Sequence, residues 1–128
     1  MKLGMTGSRE GISENAIKQL EKFINETNIS EAHHGDCVGA DMIFHNIVSQ
    51  HGIKTIIHPP KNNKLRAFCK GDIINPEKEY IARNHDIVDC TDILLAFPVT
   101  KNEVLKSGTW ATIRYAKKQN KEIIIMYP

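Results

Sequence analysis

Short apolar runs alternate along the chain with longer segments in which apolar residues recur every three or four positions. The runs predict five β-strands, at residues 2–6, 29–33, 53–58, 93–97 and 122–126. The periodic segments predict four helices, which begin near residues 14, 40, 76 and 110 and end near residues 28, 52, 92 and 119. Because strands and helices alternate, we expect an α/β fold with a parallel sheet covered by helices on both faces.

Residues 61–75 interrupt this alternation, because no apolar period is visible there. Unstructured loops of this length are uncommon in compact domains and often have a function. The segment is rich in basic residues and contains one aromatic residue: Lys61, Lys64, Arg66, Lys70 and Phe68. We interpret it either as a mobile basic lid over a binding site or as an ordinary solvated loop.

Composition narrows the range of functions. The 128 residues are enough for one domain, residues 1–128, and a net charge of +2 is too small for a general nucleic-acid surface. The apolar runs are too short to span a membrane, so we expect a cytoplasmic protein. The three cysteines, Cys37, Cys69 and Cys90, form no CxxC pair, which disfavours a disulfide framework or a cysteine-rich zinc site.

The first candidate binding turn follows the first strand. In open parallel sheets, ligands bind beyond the carboxyl ends of the strands. Gly7 allows a ligand to approach the backbone, Ser8 can donate a hydrogen bond, and Arg9 can hold a phosphate or carboxylate with two N–H groups. The alternative is a tight turn with a solvated arginine.

The second candidate turn reads HGDCVGAD, and two glycines, Gly35 and Gly39, flank its centre. Asp41 lies in the first turn of the following helix, where the helix dipole favours a carboxylate. It can accept hydrogen bonds from a ribose, or it can simply fix the loop.

Two further candidates lie later in the chain. Arg83 and Asn84, on the third helix, either face the cleft or are solvated. Small and hydroxyl residues open the fourth helix at 107–109, where unpaired backbone N–H groups suit an anion. Trp110 can stack on a base or pack on the sheet, and we favour packing.

A metal site is disfavoured although several potential ligands are close in sequence: His33, His34, Asp36, Asp41 and His45. Consecutive side chains on a strand point to opposite faces, so the first two histidines diverge. The chain also lacks the HExxH motif of helical zinc sites. We therefore predict no metal.

The segments TGSR, HGDCVGAD, ARNHDIVDCTDILLAFP and SGTWATIRYA together resemble the SLOG superfamily. These are domains related to the lonely-guy proteins and to DNA-processing protein A, and the resemblance covers nearly the whole chain. It implies a Rossmann-like three-layer sandwich with a mainly parallel sheet of about five strands. It also implies a nucleotide or nucleotide-derived ligand, such as an ADP-ribose-type or NAD-derived signal, and a homodimer or larger homo-oligomer. We predict no resident cofactor.

Carried over to this sequence, the family motifs and the residues beside them define a set of ligand-binding residues. This set is Gly7, Ser8, Arg9, Gly35, Asp36, Cys37, Gly39, Asp41, Arg83, Asn84, Pro98, Ser107, Gly108 and Thr109.

The sequence departs from the family at one catalytic position. Lonely-guy enzymes carry PGGxGTxxE; Gly108 and Thr109 match its GT, but Thr112 stands where the glutamate would be. Losing that carboxylate removes the main basis for glycosidic cleavage, and nothing places Glu103 as a substitute. We therefore predict binding without catalysis, as a sensor, carrier or sequestering protein. A phosphoribohydrolase (nucleotide N-glycosidase) is the first alternative, and single-stranded DNA binding, suggested by the basic loop, is the second.

Overall fold

A computed structural model describes all residues from 1 to 128. Six strands form one sheet: β1 (Lys2–Gly7), β2 (Glu31–His34), β3 (Lys54–Ile57), β4 (Ile73–Ile74), β5 (Ile93–Phe97) and β6 (Glu122–Ile125). The spatial order is β4-β3-β2-β1-β5-β6, and every neighbouring pair is parallel. The order reverses between β1 and β5, which is the place where open sheets of this type form a crevice.

Four helices cover the two faces of the sheet: α1 (Glu14–Glu26), α2 (Ala40–Gln50), α3 (Tyr80–Asp89) and α4 (Gly108–Lys118). Leu20 of α1 and Phe44 of α2 belong to the larger core cluster, together with Leu3 of β1. On the other face, α3 and α4 pack against β5, mainly through Ile87 and Ile113. The α/β fold with two covered faces is thus confirmed.

The register of the central strands positions the turns that follow them. Gly7 at the end of β1 lies beside Phe97 at the end of β5. Because α1 and α4 leave these strands toward opposite faces, the two connections diverge and leave a crevice between them.

The structure differs from the sequence-based expectation at two points. The sheet has six strands rather than about five, because β4 is a two-residue edge strand whose isoleucines are exposed and show no period. Helix α3 begins at Tyr80 rather than at residue 76, because Lys78 instead forms a parallel bridge with Pro60. No helix of this structure combines the length and apolar character that a bilayer crossing demands.

Candidate functional site

A cleft of about 590 Å³ lies at the carboxyl ends of β1 and β5. The turn after β1, the start of α2, one face of α3, the loop after β5 and the start of α4 form its walls. Most of the predicted binding residues line it: Gly7, Ser8, Arg9, Gly35, Cys37, Asp41, Arg83, Asn84, Ser107, Gly108 and Thr109.

Arg83 is the buried cation of this cleft, with only 6 % of its surface exposed. Its Nη1 donates to the carbonyl oxygens of Gly35 and His58, the latter at 3.2 Å, and its Nε donates to Asn84 Oδ1 at 2.8 Å. Its Nη2 contacts only the sulfur of Cys37, at 3.9 Å. No carboxylate forms an ion pair with the guanidinium, which therefore keeps part of its hydrogen-bonding capacity.

Gly35 is required by the close approach of this arginine. A Cβ at position 35 would collide with Nη1 and Cζ of Arg83. The glycine at the end of β2 therefore makes room for the guanidinium rather than for the ligand.

The start of α2 is closed by the chain itself. Ala40 donates its N–H to the carbonyl oxygen of Ser8 at 2.9 Å, and a Cβ on Gly39 would collide with the Arg9 backbone. Asp41 Oδ2 accepts the N–H of Cys37 at 3.0 Å. Burial raises the pKa of Asp41 to about 6, against the lowering effect of the nearby Arg83 charge. The turn after β1 therefore fills the space beside this helix start, while the N–H groups of Asp41 and Met42 have no acceptor in the chain.

The start of α4, in contrast, is open toward the cleft. Ser107 caps the helix by accepting the N–H of Trp110 at 3.3 Å. The N–H groups of Gly108 and Thr109 have no acceptor within the helix, and no loop carbonyl provides one. No atom lies within 4 Å of a Cβ placed on Gly108, so the space beside this glycine is open.

The remaining charges give the cleft a positive character. Arg9 and Lys106 are exposed at its edge, and neither forms an ion pair. Asp41 is the one carboxylate among the lining residues. Three cations and free N–H groups therefore surround a single buried acid.

Three residues of the predicted set lie outside the cleft. Asp36 is fully buried and points toward the 61–75 loop, where it pairs with Arg66 Nε at 3.0 Å and accepts the Cys69 N–H at 2.8 Å. Gly39 packs against the backbone of Arg9, and Pro98 lines a separate depression beside α1. The loop is thus fastened to the body of the protein, and Arg66 is not solvated.

Sequence reasoning missed several lining residues, among them Tyr80, Lys106, Leu65, Val99, Thr100 and Val104. A signal existed for Tyr80, which lies three positions before Arg83 and so shares its face of α3. The Arg83 guanidinium carbon lies 5.3 Å from the Tyr80 ring centroid. No comparable signal marked the others, because loop residues follow no period.

Comparison with solved structures identifies proteins of the same architecture. The molybdenum cofactor binding protein of the phototrophic bacterium Rippkaea orientalis aligns with 99% of this chain and 76% of its own, at 22% identity and a TM-score of 0.75. The molybdenum cofactor carrier protein of Chlamydomonas reinhardtii aligns with 99% of this chain and 77% of its own, at 18% identity and a TM-score of 0.70. The chain has the Rossmann-like fold of these proteins.

DNA processing protein A from Streptococcus pneumoniae also matches, at 24% identity and a TM-score of 0.68. The match covers 97% of this chain but only 49% of that protein, so this chain spans about half of its length. No protein-family model matches the sequence, and no curated protein sequence matches it. At these identities the comparisons establish the fold alone.

The position of the lonely-guy glutamate is buried in α4. Thr112 is 3 % exposed, and its hydroxyl donates to the carbonyl oxygen of Gly108 at 3.0 Å. Glu103 forms an ion pair with Arg114 at 2.6 Å and does not line the cleft. Trp110 packs against Ala96, as expected. Neither the residue at the glutamate position, Thr112, nor the possible substitute, Glu103, therefore offers a carboxylate to a bound ligand.

A cluster of potential metal ligands lies outside the cleft lining, where nitrogen and sulfur atoms of His34, His45 and Cys69 are within 4.8 Å of one another. His34 Nδ1 accepts the N–H of Asp36 at 3.0 Å, so the neutral ring carries its proton on Nε2. That Nε2 donates to His45 Nδ1 at 2.9 Å. Both facing nitrogens are thus committed to one hydrogen bond, which disfavours a metal ion between them.

Proposed function

We propose that this protein binds an anionic small molecule of nucleotide size in the cleft and acts as its sensor, carrier or sequestering protein. The observation that carries the proposal is Arg83, a buried guanidinium that lines the cleft without a carboxylate partner. Buried charges in proteins are normally paired, because removing them from water is costly. An anion in the cleft would supply the missing partner.

The surroundings of Arg83 favour the same ligand chemistry. Arg9 and Lys106 add positive charge at the edge of the cleft, and the N–H groups of Gly108 and Thr109 are free to donate. Helix starts with free N–H groups bind phosphates well, and arginine binds them with two parallel hydrogen bonds. A volume of about 590 Å³ lies within the range of small-molecule sites.

A nucleotide or nucleotide-derived molecule, such as AMP, ADP-ribose or NAD, is the ligand class that we propose first. The resemblance of the turns to the SLOG motifs supports it, and the half-buried Tyr80 offers a ring on which a base can stack. The molybdenum cofactor is the second candidate, since two proteins with this fold bind or carry it.

The test is a melting series with AMP, ADP-ribose, NAD and isolated molybdenum cofactor, followed by calorimetry with each ligand that raises the melting temperature. A ligand at about 100 times its Kd stabilises the folded state by about 2.7 kcal/mol, which is a shift of several degrees. Lys106→Ala should weaken binding. Lys101→Ala changes an exposed lysine of the same loop that does not line the cleft, and should not. No shift with any of the four ligands would contradict the proposal.

The alternative function is that of a phosphoribohydrolase, and one observation at Asp41 favours it. This buried carboxylate lines the cleft near Arg83, and a pKa of about 6 suits a general acid or base. Its Oδ2 already accepts the Cys37 N–H, which favours a structural role. Incubation with AMP followed by chromatography decides between a structural and a catalytic role of Asp41. We expect no free base. Release of base that Asp41→Asn abolishes would favour the enzyme.

A further inference from the structure

One peptide unit joins the buried histidines to the cation of the cleft. The carbonyl group of Gly35 and the N–H group of Asp36 belong to the same planar peptide. The carbonyl oxygen accepts a hydrogen bond from Arg83 Nη1, while the N–H donates to His34 Nδ1 at 3.0 Å. The orientation of this plane therefore sets whether Arg83 Nη1 keeps one of its two carbonyl acceptors, the other being His58.

The observed orientation is held against backbone strain. Asp36 has a φ of 58°, in the left-handed region that residues with a Cβ adopt infrequently, although aspartate enters it more readily than most. Turning the peptide plane over would bring φ of Asp36 to roughly −120°, an ordinary extended value. Gly35, without a Cβ, would not oppose the accompanying change in its ψ. The hydrogen bonds at the two ends of the peptide therefore hold it in the orientation that needs the left-handed φ.

The other polar groups of Asp36 are tied to the 61–75 loop. Its carboxylate pairs with Arg66 and accepts the Cys69 N–H, and its carbonyl oxygen accepts the Ala67 N–H at 2.7 Å. These bonds anchor the residue but do not involve the Gly35–Asp36 plane. The hydrogen bonds that hold the Gly35–Asp36 plane are therefore the one to His34 and the one from Arg83.

The imidazole of His34 is built to act as an acceptor here. The ring is fully buried, and its Nε2 donates to His45 Nδ1, which leaves Nδ1 unprotonated. Burial, assisted by the surrounding His45, His58, Arg83 and His33, lowers the pKa of His34 to about 3. The ring is therefore neutral at physiological pH, and its acceptor remains available.

We propose that His34 is a positioning residue for the cleft. By accepting the Asp36 N–H, it holds the Gly35 carbonyl toward Arg83 and so fixes the guanidinium that faces the ligand. Its effect on binding rests on the proposed function, whereas its effect on the peptide plane does not.

Three variants separate positioning from general stability. His34→Leu removes the acceptor. His34→Asn restores it, because an asparagine oxygen readily accepts the N–H two residues ahead. His45→Leu is the matched control, since it removes the other half of the same buried pair and leaves His34 Nδ1 facing Asp36.

The first readout is the crystal structure of each ligand-free variant. We expect the Gly35–Asp36 plane to be turned over, with Arg83 displaced, in His34→Leu, and to be unchanged in His34→Asn and His45→Leu. An unchanged plane in His34→Leu would overturn the proposal even if no nucleotide bound the protein. If His34→Leu does not fold, the nitrogen NMR shifts of the wild-type ring decide, because a proton on Nδ1 would also overturn it.

The second readout is calorimetry with AMP as the probe. Affinity should fall at least about tenfold in His34→Leu, the size expected when a charge-assisted contact is misplaced. It should stay within about threefold of wild type in His34→Asn and His45→Leu. An equal loss in all three variants would indicate a merely structural role and would overturn the proposal. If the Gly35–Asp36 plane turns over in His34→Leu as expected but AMP does not bind the wild-type protein, the positioning role stands and AMP is the wrong ligand.

Discussion

The starts of α2 and α4 carry the same sequence signal and have opposite structural outcomes. Each has a glycine beside the first helical residues and follows a buried strand. At α2, the Ser8 carbonyl accepts an early N–H, and the space beside Gly39 is filled by the Arg9 backbone. At α4, the Ser107 hydroxyl beside the helix accepts an early N–H, and the space beside Gly108 is empty.

The difference shows that a glycine before a helix serves two purposes that sequence alone does not separate. Gly39 allows two segments of the chain to pack closely, whereas Gly108 leaves room for an outside molecule. What distinguishes them is whether partners from elsewhere in the chain fill the space beside the glycine, since two early N–H groups lack an acceptor at each helix start. At α2 the partners lie far away in sequence, in the turn after β1.

Gly39→Ala should give the largest loss of stability. The residue has a φ of 91°, and the added Cβ would meet the Arg9 backbone, which cannot move without disturbing β1. We expect the free energy of unfolding to fall by at least about 3 kcal/mol, measured by urea denaturation. Gly52→Ala is the control: its φ is 70°, but the space around it is open, so only about 1 kcal/mol of backbone strain is expected. Equal losses in the two variants would show that the start of α2 is not tightly packed.

Asp41→Asn should change how stability depends on pH. Burial raises the folded-state pKa of Asp41 from 3.8 to about 6. The folded protein therefore binds this proton more tightly than the unfolded chain does. The contribution of this proton to the free energy of unfolding is fully present below pH 3.8 and is lost as the pH rises through about 6. Asparagine can still accept the Cys37 N–H but carries no charge. Between about pH 4.5 and about pH 7.5, wild type should lose about 2 kcal/mol relative to Asp41→Asn.

Urea denaturation of both proteins at the two pH values measures this difference, and the other titrating groups cancel in the comparison. A difference that is independent of pH would mean that Arg83 fully compensates the buried carboxylate.

The layered α/β fold could be predicted from sequence because the spacing of apolar residues follows from which side chains are buried, and strands alternate with helices along the chain. The run at β5, ILLAF, is continuous because this central strand is buried on both faces. Strand β4 escaped prediction because two exposed isoleucines at an edge carry no period. The start of α3 could not be predicted because it depends on the bridge between Pro60 and Lys78, a tertiary contact that leaves no mark in the local sequence.

The candidate site was predictable where a turn follows a strand and not where the direction of a side chain depends on distant partners. Gly35 and Cys37 line the cleft, but Asp36 between them points away, because Arg66 lies on the other side, 30 residues later. The sequence carries no local mark of that pairing. Lys106 was missed for a similar reason, since nothing in an aperiodic loop shows which of its lysines turns inward.

Gly108→Ala should be the smallest perturbation of the fold and the most direct test of the open helix start. The added methyl group meets no atom within 4 Å, so we expect the free energy of unfolding to change by less than about 0.5 kcal/mol. The same methyl group occupies the approach to the N–H groups of Gly108 and Thr109, so the affinity for AMP should fall several-fold in calorimetry. If Gly108→Ala destabilised the protein as strongly as Gly39→Ala, the start of α4 would be packed rather than open. If it left both stability and affinity unchanged, the anion would have to bind at Arg83 without using the helix start.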